Sequence, residues 1–514
     1  MTICDNNDAQ RDEMTSYWKG HASHRTLEAM MLDSNAATLN ELEAPEILAK
    51  LPNFEKQDVL ELASGIGRYT QLISKVAKTV TAVEFMQEFH DSNVKLHAGQ
   101  SHVKLLCEDV TKLEMEKTSQ DLVFSNWLLM YLGDEEVKNL AKNQLKWLRT
   151  GGHLFFRESC FKQSGDATRT SNPTNYRHPA FYVDAFRSMY IQESGPDKDG
   201  RCTISFFELL SSSSVNVYRK LKNNSGQVCF LWKKVTKKCT LSEMKTFQQF
   251  LDEEQYTMAG IKRYERIFGS GFVSPGGLET TSEFIDKLNL KTNDRVLDVG
   301  CGVGGAIFYM VEKYGVSAVG IDLSTNMVHT ALERAMEKPM LDIEFEICDA
   351  GAKQFEPASF DVIFSRDTLL HVEDKMSLFA NFFKWLKPGG QVLITDYCCG
   401  EAKPSKEFQD YVAGRGYHLL SPIKYGNVLE ATGFENVVVE DRTHQFISIL
   451  KTELNTTEKT QDAFVKETSQ KDYNDIISGW SSKIERCAAG DQRWGFFLAQ
   501  KPTLDGMLNS SILH

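Results

Sequence analysis

One pattern runs through this chain twice. Residues 59–68 (VLELASGIGR) return as 296–305 (VLDVGCGVGG), 121–125 (DLVFS) as 361–365 (DVIFS), and 146–152 (KWLRTGG) as 384–390 (KWLKPGG). Three matches in the same order and at nearly the same offset mean two copies of one unit. Each copy is far too long for a solenoid repeat, so the copies are whole domains. The length of 514 residues agrees, because one hydrophobic core does not extend over so large a chain. The boundary is expected after the strand-like run 228–232, with the basic and polar stretch 233–243 read as a connector. The domains are therefore drawn as 1–235 and 246–514, with a linker at 236–245.

Within each copy, short apolar runs alternate with helical patterns, which predicts an α/β fold with a mostly parallel sheet flanked by helices. In the second copy 295–299, 318–321, 343–347, 361–365 and 391–395 read as strands, and 326–337 and 376–386 as amphipathic helices. A glycine-rich turn follows the first strand and an acidic residue ends the second. In such sheets ligands sit beyond the carboxyl ends of the strands, which is where these residues cluster.

Gly300, Gly302 and Gly305 satisfy the GxGxxG pattern of nicotinamide enzymes, so an oxidoreductase is one reading. Asp298 and, in the first copy, Glu61 stand two residues before the first turn position, where a carboxylate would repel a pyrophosphate. That placement suits a cofactor without phosphates and with a cationic amino-acid end, which describes S-adenosylmethionine. Asp322 and Glu84, ending the second strands, are placed to accept ribose hydroxyls. Asp349 and Asp109, ending the third, are placed to face the adenine amine.

Taken together, the glycine turn with its preceding carboxylate, the acidic strand end, DVIFS and KPGG resemble class I S-adenosylmethionine-dependent methyltransferases, in tandem (Rossmann-like) duplicate. Segments 28–33 (EAMMLD), 125–131 (SNWLLMY), 157–160 (RESC), 276–279 (GGLE) and 365–367 (SRD) further resemble the bidomain, plant-type phosphoethanolamine N-methyltransferases, from about residue 17 to 502. The resemblance implies three successive methylations of phosphoethanolamine to phosphocholine, a precursor of phosphatidylcholine. It assigns the first methylation to the N-terminal domain and the other two to the C-terminal domain.

The same resemblance carries roles onto residues. In the second copy it makes Tyr256, His371 and Asp367 catalytic, with the base role carried to Tyr256 and His371, the histidine as proton acceptor or as orienter of the tyrosine, and Asp367 as holder of the ammonium. It makes Gln255, Tyr264, Tyr397, Tyr411, Arg415, Tyr417 and Lys483 substrate-binding. Tyr411, Arg415 and Tyr417 fall on one helix and its end, where a guanidinium can hold phosphate and tyrosine faces suit a methylated ammonium. Cofactor contacts are expected from Val273, Ser274, Gly300, Asp322, Leu323, Asp349, Ala350 and Arg366. In the first copy they are expected from Ala63, Arg68, Glu84, Asp109, Val110 and Asn126.

The first copy lacks the catalytic half, with Trp127 opposite Asp367 and Tyr131 opposite His371. Its substrate pocket is expected to use Ser159, Ser164, Gly165, Tyr182 and Arg177 as phosphate anchor, with Tyr17 reaching in from the N-terminal segment and Tyr131 as proton acceptor. Two departures from the family stand out, Ala63 for the first glycine and Pro275 for a small residue. Other readings are a non-catalytic first domain and, on fold alone, a protein methyltransferase.

The net charge of −12 and the lack of a basic arm argue against a nucleic-acid partner. The eleven scattered cysteines read as reduced thiols, and the start is polar with no signal-like core. No apolar run suffices to span a bilayer, and the chemistry needs no metal. A cytoplasmic monomer acting on small molecules is expected.

Overall fold

A computed structural model describes residues 3–167 and 172–503. The chain divides into two compact units, Met1–Thr246 and Phe247–His514. The first carries strands β1 (Asp58–Leu62), β2 (Thr79–Glu84), β3 (Val103–Cys107), β4 (Gln120–Asn126), β5 (Leu148–Ser159), β6 (Tyr190–Gln192), β7 (Cys202–Ser214) and β8 (Gln227–Cys239). The second carries β9 (Arg295–Val299), β10 (Ser317–Asp322), β11 (Ile343–Cys348), β12 (Phe360–Arg366), β13 (Leu386–Cys399), β14 (Glu435–Asp441) and β15 (Gln492–Gln500).

In unit 1 the strand order is β3-β2-β1-β4-β5-β8-β7, and in unit 2 it is β11-β10-β9-β12-β13-β15-β14. The first five strands pair in parallel and the last two antiparallel, so the two units share one topology. Strands buried on both faces must be apolar throughout. Val59, Leu60 and Leu62 of β1 and Val296, Leu297 and Val299 of β9 meet that demand, and each carries one buried carboxylate, Glu61 or Asp298. The chain reverses after β1 and β9 to place its glycine turn at the carboxyl edge.

The stretch expected to be linker is partly strand. β8 runs on to Cys239 and pairs with β7 to its end, because Thr236 and Lys238 have ladder partners in Ser205 and Thr203. Buried Trp232 and Lys234 alternate with the half-exposed Lys233 and Val235, the period of a half-buried strand that basic composition disguised as loop. Ten cysteines among the described residues are unpaired.

Candidate functional site

In unit 2 the carboxyl ends of the parallel strands open into a cavity of about 860 Å³. Tyr256, Asp367 and His371 line it, as do Gln255, Tyr264, Tyr397, Tyr411, Arg415, Tyr417 and Lys483, and also Val273, Ser274, Gly300, Asp322, Leu323, Asp349, Ala350 and Arg366. Tertiary structure thus gathers these residues around one space, while Asp298 and Gly305 lie outside its lining.

Its floor is the glycine turn. Gly300 has φ +80°, and a Cβ there would lie 2.1 Å from Thr368 Oγ1. Asp322 accepts hydrogen bonds from the Gly302 and Ser324 N–H groups at 3.0 and 2.8 Å. Burial still pushes its pKa up to about 6, against those two bonds. Burial also raises Asp298, to about 8, with Asp322 adding repulsion and Arg366 opposing it. Asp322, still ionised at pH 7 and facing the cavity, makes this a place for hydroxyl donors and an ammonium. A pyrophosphate would meet repulsion here, so the residues fit S-adenosylmethionine.

Segment 247–256 crosses the opening as a helical turn, Phe247–Phe250, that widens into a π-helical turn, Leu251–Gln255. Asp252 fastens it by accepting from the Ser324 hydroxyl (2.8 Å), the Thr325 N–H (2.9 Å) and the Thr325 hydroxyl (2.8 Å), so it caps the helix Thr325–Glu337. Gln248 donates to the Leu323 carbonyl at 3.0 Å, and Gln255 to the Arg415 carbonyl at 3.2 Å.

Asp367 follows β12 with φ +53°, a conformation that a non-glycine residue adopts only when its surroundings impose it. Its carboxylate accepts from Trp494 Nε1 at 2.7 Å and from the Thr395 hydroxyl at 3.2 Å. Burial raises its pKa, while Arg366 and the Trp494 bond oppose that. His371 sits on a short turn, Leu369–His371, that Asp396 holds through the Leu370 N–H at 3.1 Å. Burial lowers the imidazole's pKa to about 4, so the ring is neutral at pH 7. It packs edge-on to Tyr417 and beside Phe247, with ring centroids 5.1 and 5.5 Å away.

At the far end, helix Lys406–Arg415 presents Tyr411 and Arg415, and Gly416 in the left-handed region turns Tyr417 inward. Helix Gln470–Ala489 supplies Lys483, whose ammonium donates to the Tyr397 hydroxyl at 3.4 Å. Burial lowers Lys483 to about 8, with Arg486 and Arg415 adding to the effect and Glu453 opposing it.

Unit 1 has the same floor but a smaller space of about 140 Å³. Ala63, Arg68, Glu84, Asp109, Val110, Asn126, Ser159 and Ser164 line it. Glu84 accepts from the Gly65 and Met86 N–H groups at 2.8 and 2.9 Å, as Asp322 does in unit 2. Ala63 takes the glycine's left-handed conformation at φ +56°, so the missing glycine leaves the turn's shape unchanged. The N-terminal helix Ile3–Ala22 contributes Arg11, Met14 and Trp18 to the lining, and Arg11 lies 3.6 Å from the Asp109 carboxylate. Trp18 meets Tyr131 edge-on at 5.3 Å.

Four unit 1 expectations fail on placement. Arg177 does not line the cavity; it is bonded to Asp134 (2.8 Å) and to the Leu129 and Leu132 carbonyls (3.0 and 2.5 Å), which leaves it no free fork for a phosphate. Gly165 packs against the backbone of Leu32, where a Cβ would lie 2.1 Å from the carbonyl oxygen. Tyr182 is fully buried between Phe156 and Phe230. The N-terminal helix reaches the site through the residues on either side of Tyr17, and Tyr17 itself is not in the lining.

Several residues escaped the sequence reading. Glu43, fully buried, receives Arg68 and also Arg157 at 3.1 Å, and Arg157 stacks on Trp127 at 3.7 Å. Trp127, with φ +59°, donates from Nε1 to Gln227 at 2.9 Å. Gln227 and Trp494 come from strands about a hundred or more residues beyond their partners, so no local pattern revealed them. Arg486, one helical turn past Lys483, also lines the unit 2 cavity, and its i, i+3 spacing was visible.

No helix among the described residues is long and apolar enough to cross a membrane, and no group of three or more metal-ligating side chains occurs among them. The methyltransferase-domain family models match residues 60–156 and 290–433, one in each unit. A phosphoethanolamine N-methyltransferase of Triticum aestivum is 49% identical over 98% of this chain and 99% of its own. One of Arabidopsis thaliana is 48% identical over 96% and 98%. Among solved structures, the Haemonchus contortus phosphoethanolamine N-methyltransferase 2, in complex with phosphomonomethylethanolamine and S-adenosylhomocysteine, superposes with a TM-score of 0.72. It is 28% identical and covers 90% of this chain and 99% of its own. With two copies of the methyltransferase fold, each with a carboxylate-lined glycine turn, and relatives matching end to end, the chain belongs to the phosphoethanolamine N-methyltransferase family and is an S-adenosylmethionine-dependent enzyme.

Proposed function

We propose that both units are catalytic and divide the path from phosphoethanolamine to phosphocholine. Unit 1 adds the first methyl group and unit 2 adds the second and third. The observation that carries this reading is the exchange at the sheet edge, where unit 2 aims the buried carboxylate of Asp367 and unit 1 aims the indole of Trp127. Each methylation removes an N–H donor from the amine, so recognition must shift from hydrogen bonds to charge. A carboxylate and five tyrosines suit that later stage through Coulomb and cation–π attraction.

In unit 2, Asp322 and Asp349 would hold the ribose and adenine, and Ser274, Arg366 and the Gly300 turn the amino-acid end. When bound, S-adenosylmethionine supplies a methyl group on a sulfonium, a reactive electrophile. The protein's own work is to present an amine with a free lone pair in line with it and to exclude water. His371, neutral at pH 7, can take the ammonium proton and leave a neutral amine with a free lone pair, and Asp367 balances the positive charge that returns to the nitrogen with the methyl group. Tyr256, anchored through the Asp252 cap, closes the pocket beside them. Arg415, Lys483, Tyr411 and Tyr417 would take the phosphate. In unit 1, Ser159 and Tyr131 line the corresponding cavity.

Two full-length variants test the division. Glu84→Ala should abolish turnover of phosphoethanolamine while leaving phosphomonomethylethanolamine a substrate. Asp322→Ala should stop the pathway at the monomethyl product. If the Asp322 variant still makes phosphocholine, the division is wrong. If the Glu84 variant still methylates phosphoethanolamine at the wild-type rate, only unit 2 is catalytic.

A further inference from the structure

The phosphate end of unit 2 contains a cation that the reading above does not use. Arg486 lines the cavity one turn beyond Lys483 on helix Gln470–Ala489. Its guanidinium carbon lies 3.9 Å from the centroid of the Tyr411 ring, close enough for a face-on stack. Its Nε donates to Gln492 Oε1 at 3.1 Å, which sets the plane of the fork. Arg415 lies 5.9 Å from the same ring, so Tyr411 sits between two guanidinium groups. Among the described residues no carboxylate forms an ion pair with Arg415, Lys483 or Arg486. Lys483 lies beside Tyr397 with Glu453 as an opposing carboxylate, so this end of the cavity carries a surplus of positive charge that an entering anion would offset.

Building on the proposed phosphobase reaction, we propose that Arg486 belongs to the phosphate-recognition end of unit 2, as the positioning residue that holds Tyr411 and as the third charge favouring a dianionic phosphomonoester. The effect falls on substrate affinity, because Arg486 contacts Tyr411 and Gln492 and makes no hydrogen bond, ion pair or ring contact with Asp367 or His371. It also reaches Lys483. The charged and titratable groups around that ammonium are Glu453 from helix Thr443–Lys459, Tyr397 from β13, Asp367 after β12, Arg415 from helix Lys406–Arg415, and Arg486 and Cys487 from its own helix. Arg486 disfavours the charged ammonium, so its removal lets Lys483 stay protonated to higher pH.

The test uses the full chain with Arg486→Met, which keeps the bulk without charge, and Arg486→Lys, which keeps charge without the planar stack. For Arg486→Met the KM for phosphomonomethylethanolamine should rise by about 10- to 50-fold, the range for losing a charged contact to phosphate. The kcat should stay within about threefold and the KM for S-adenosylmethionine within about twofold. Arg486→Lys should recover part of the loss. The alkaline loss of substrate affinity should begin at higher pH in Arg486→Met than in wild type. Inorganic phosphate, titrated calorimetrically into the full chain, should bind about 10-fold more weakly to the Met variant. That measurement needs no turnover. Weakened phosphate binding without any phosphobase methylation would therefore count against the reaction and for the role of Arg486. Unchanged phosphate affinity, an unchanged KM, or equal losses for cofactor and substrate would overturn the assignment.

Discussion

At the carboxyl edge of each sheet a tryptophan indole N–H meets a side-chain acceptor, but the two units exchange which strand supplies which partner. In unit 2 Trp494 of β15 donates to Asp367 after β12; in unit 1 Trp127 after β4 donates to Gln227 of β8. The buried guanidinium changes sides as well. Arg366 ends β12 and is held by the Pro275 and Gly277 carbonyls and the Thr281 hydroxyl, whereas in unit 1 Asn126 occupies that strand end and Arg157 comes from the neighbouring β5. The left-handed backbone at Trp127 and Asp367 is common to both. Duplication therefore preserved the strained turn and the bond it makes, while the charge was free to move. In unit 2 a carboxylate faces the cavity. In unit 1 the carboxylate, Glu43, pairs with Arg68 and Arg157, the guanidinium groups on the indole, instead.

The sharpest way to break this comparison is Asp367→Asn. The variant should lose about 10³-fold in kcat/KM for phosphomonomethylethanolamine, within the range of a lost catalytic charge, and leave the first methylation intact. Product analysis by mass spectrometry would show the monomethyl compound accumulating; continued phosphocholine formation would remove the functional meaning of the exchange. Next comes Glu43→Gln, which leaves two buried guanidinium groups without a counter-charge. It should destabilise unit 1 by about 3–5 kcal/mol, read as a lowered urea midpoint of that unit's transition, with unit 2 unaffected.

Trp494→Phe should be milder, about 10-fold in kcat, because it removes one charge-assisted hydrogen bond. The pH profile carries the diagnostic sign. The indole bond favours ionised Asp367, so without it the carboxyl protonates more readily and the acidic limb moves to higher pH. A limb that stays in place would mean that Asp367 does not titrate in the rate-limiting step. Smallest is Ala63→Gly. An alanine held at φ +56° carries a left-handed penalty that glycine lacks, so the change should stabilise unit 1 by about 1 kcal/mol, seen as a small rise in its thermal midpoint.

The cofactor half of unit 2 was readable from sequence because its residues lie in short motifs at strand ends, where a parallel sheet aims them whatever else the chain does. Tyr411, Arg415 and Lys483, on helices, came only from the resemblance. The strand expected at 361–365 extends only to Phe360–Arg366, and the helix expected at 326–337 begins one residue earlier. In unit 1 the substrate residues were placed by resemblance in the long excursion between β5 and β7, where no local rule decides direction. Arg177 turned back to cap its own neighbourhood, and Tyr182 went into the core. Pro275 was suspect in the sequence, but its carbonyl oxygen is an acceptor for Arg366, a bond that needs only backbone.

By itself, the sequence determined the duplication, the five parallel strands of the second copy, both glycine turns and the carboxylates around them. All of these depend on hydrophobic period and on neighbours a few residues apart. Tertiary structure decided which distant partner completes each edge: Trp494 for Asp367, Gln227 for Trp127, Glu43 for Arg157 and Arg486 for Tyr411. Those pairings depend on desolvation and close packing between elements far apart in the chain, where a buried charge or N–H must find whatever partner the fold brings within reach.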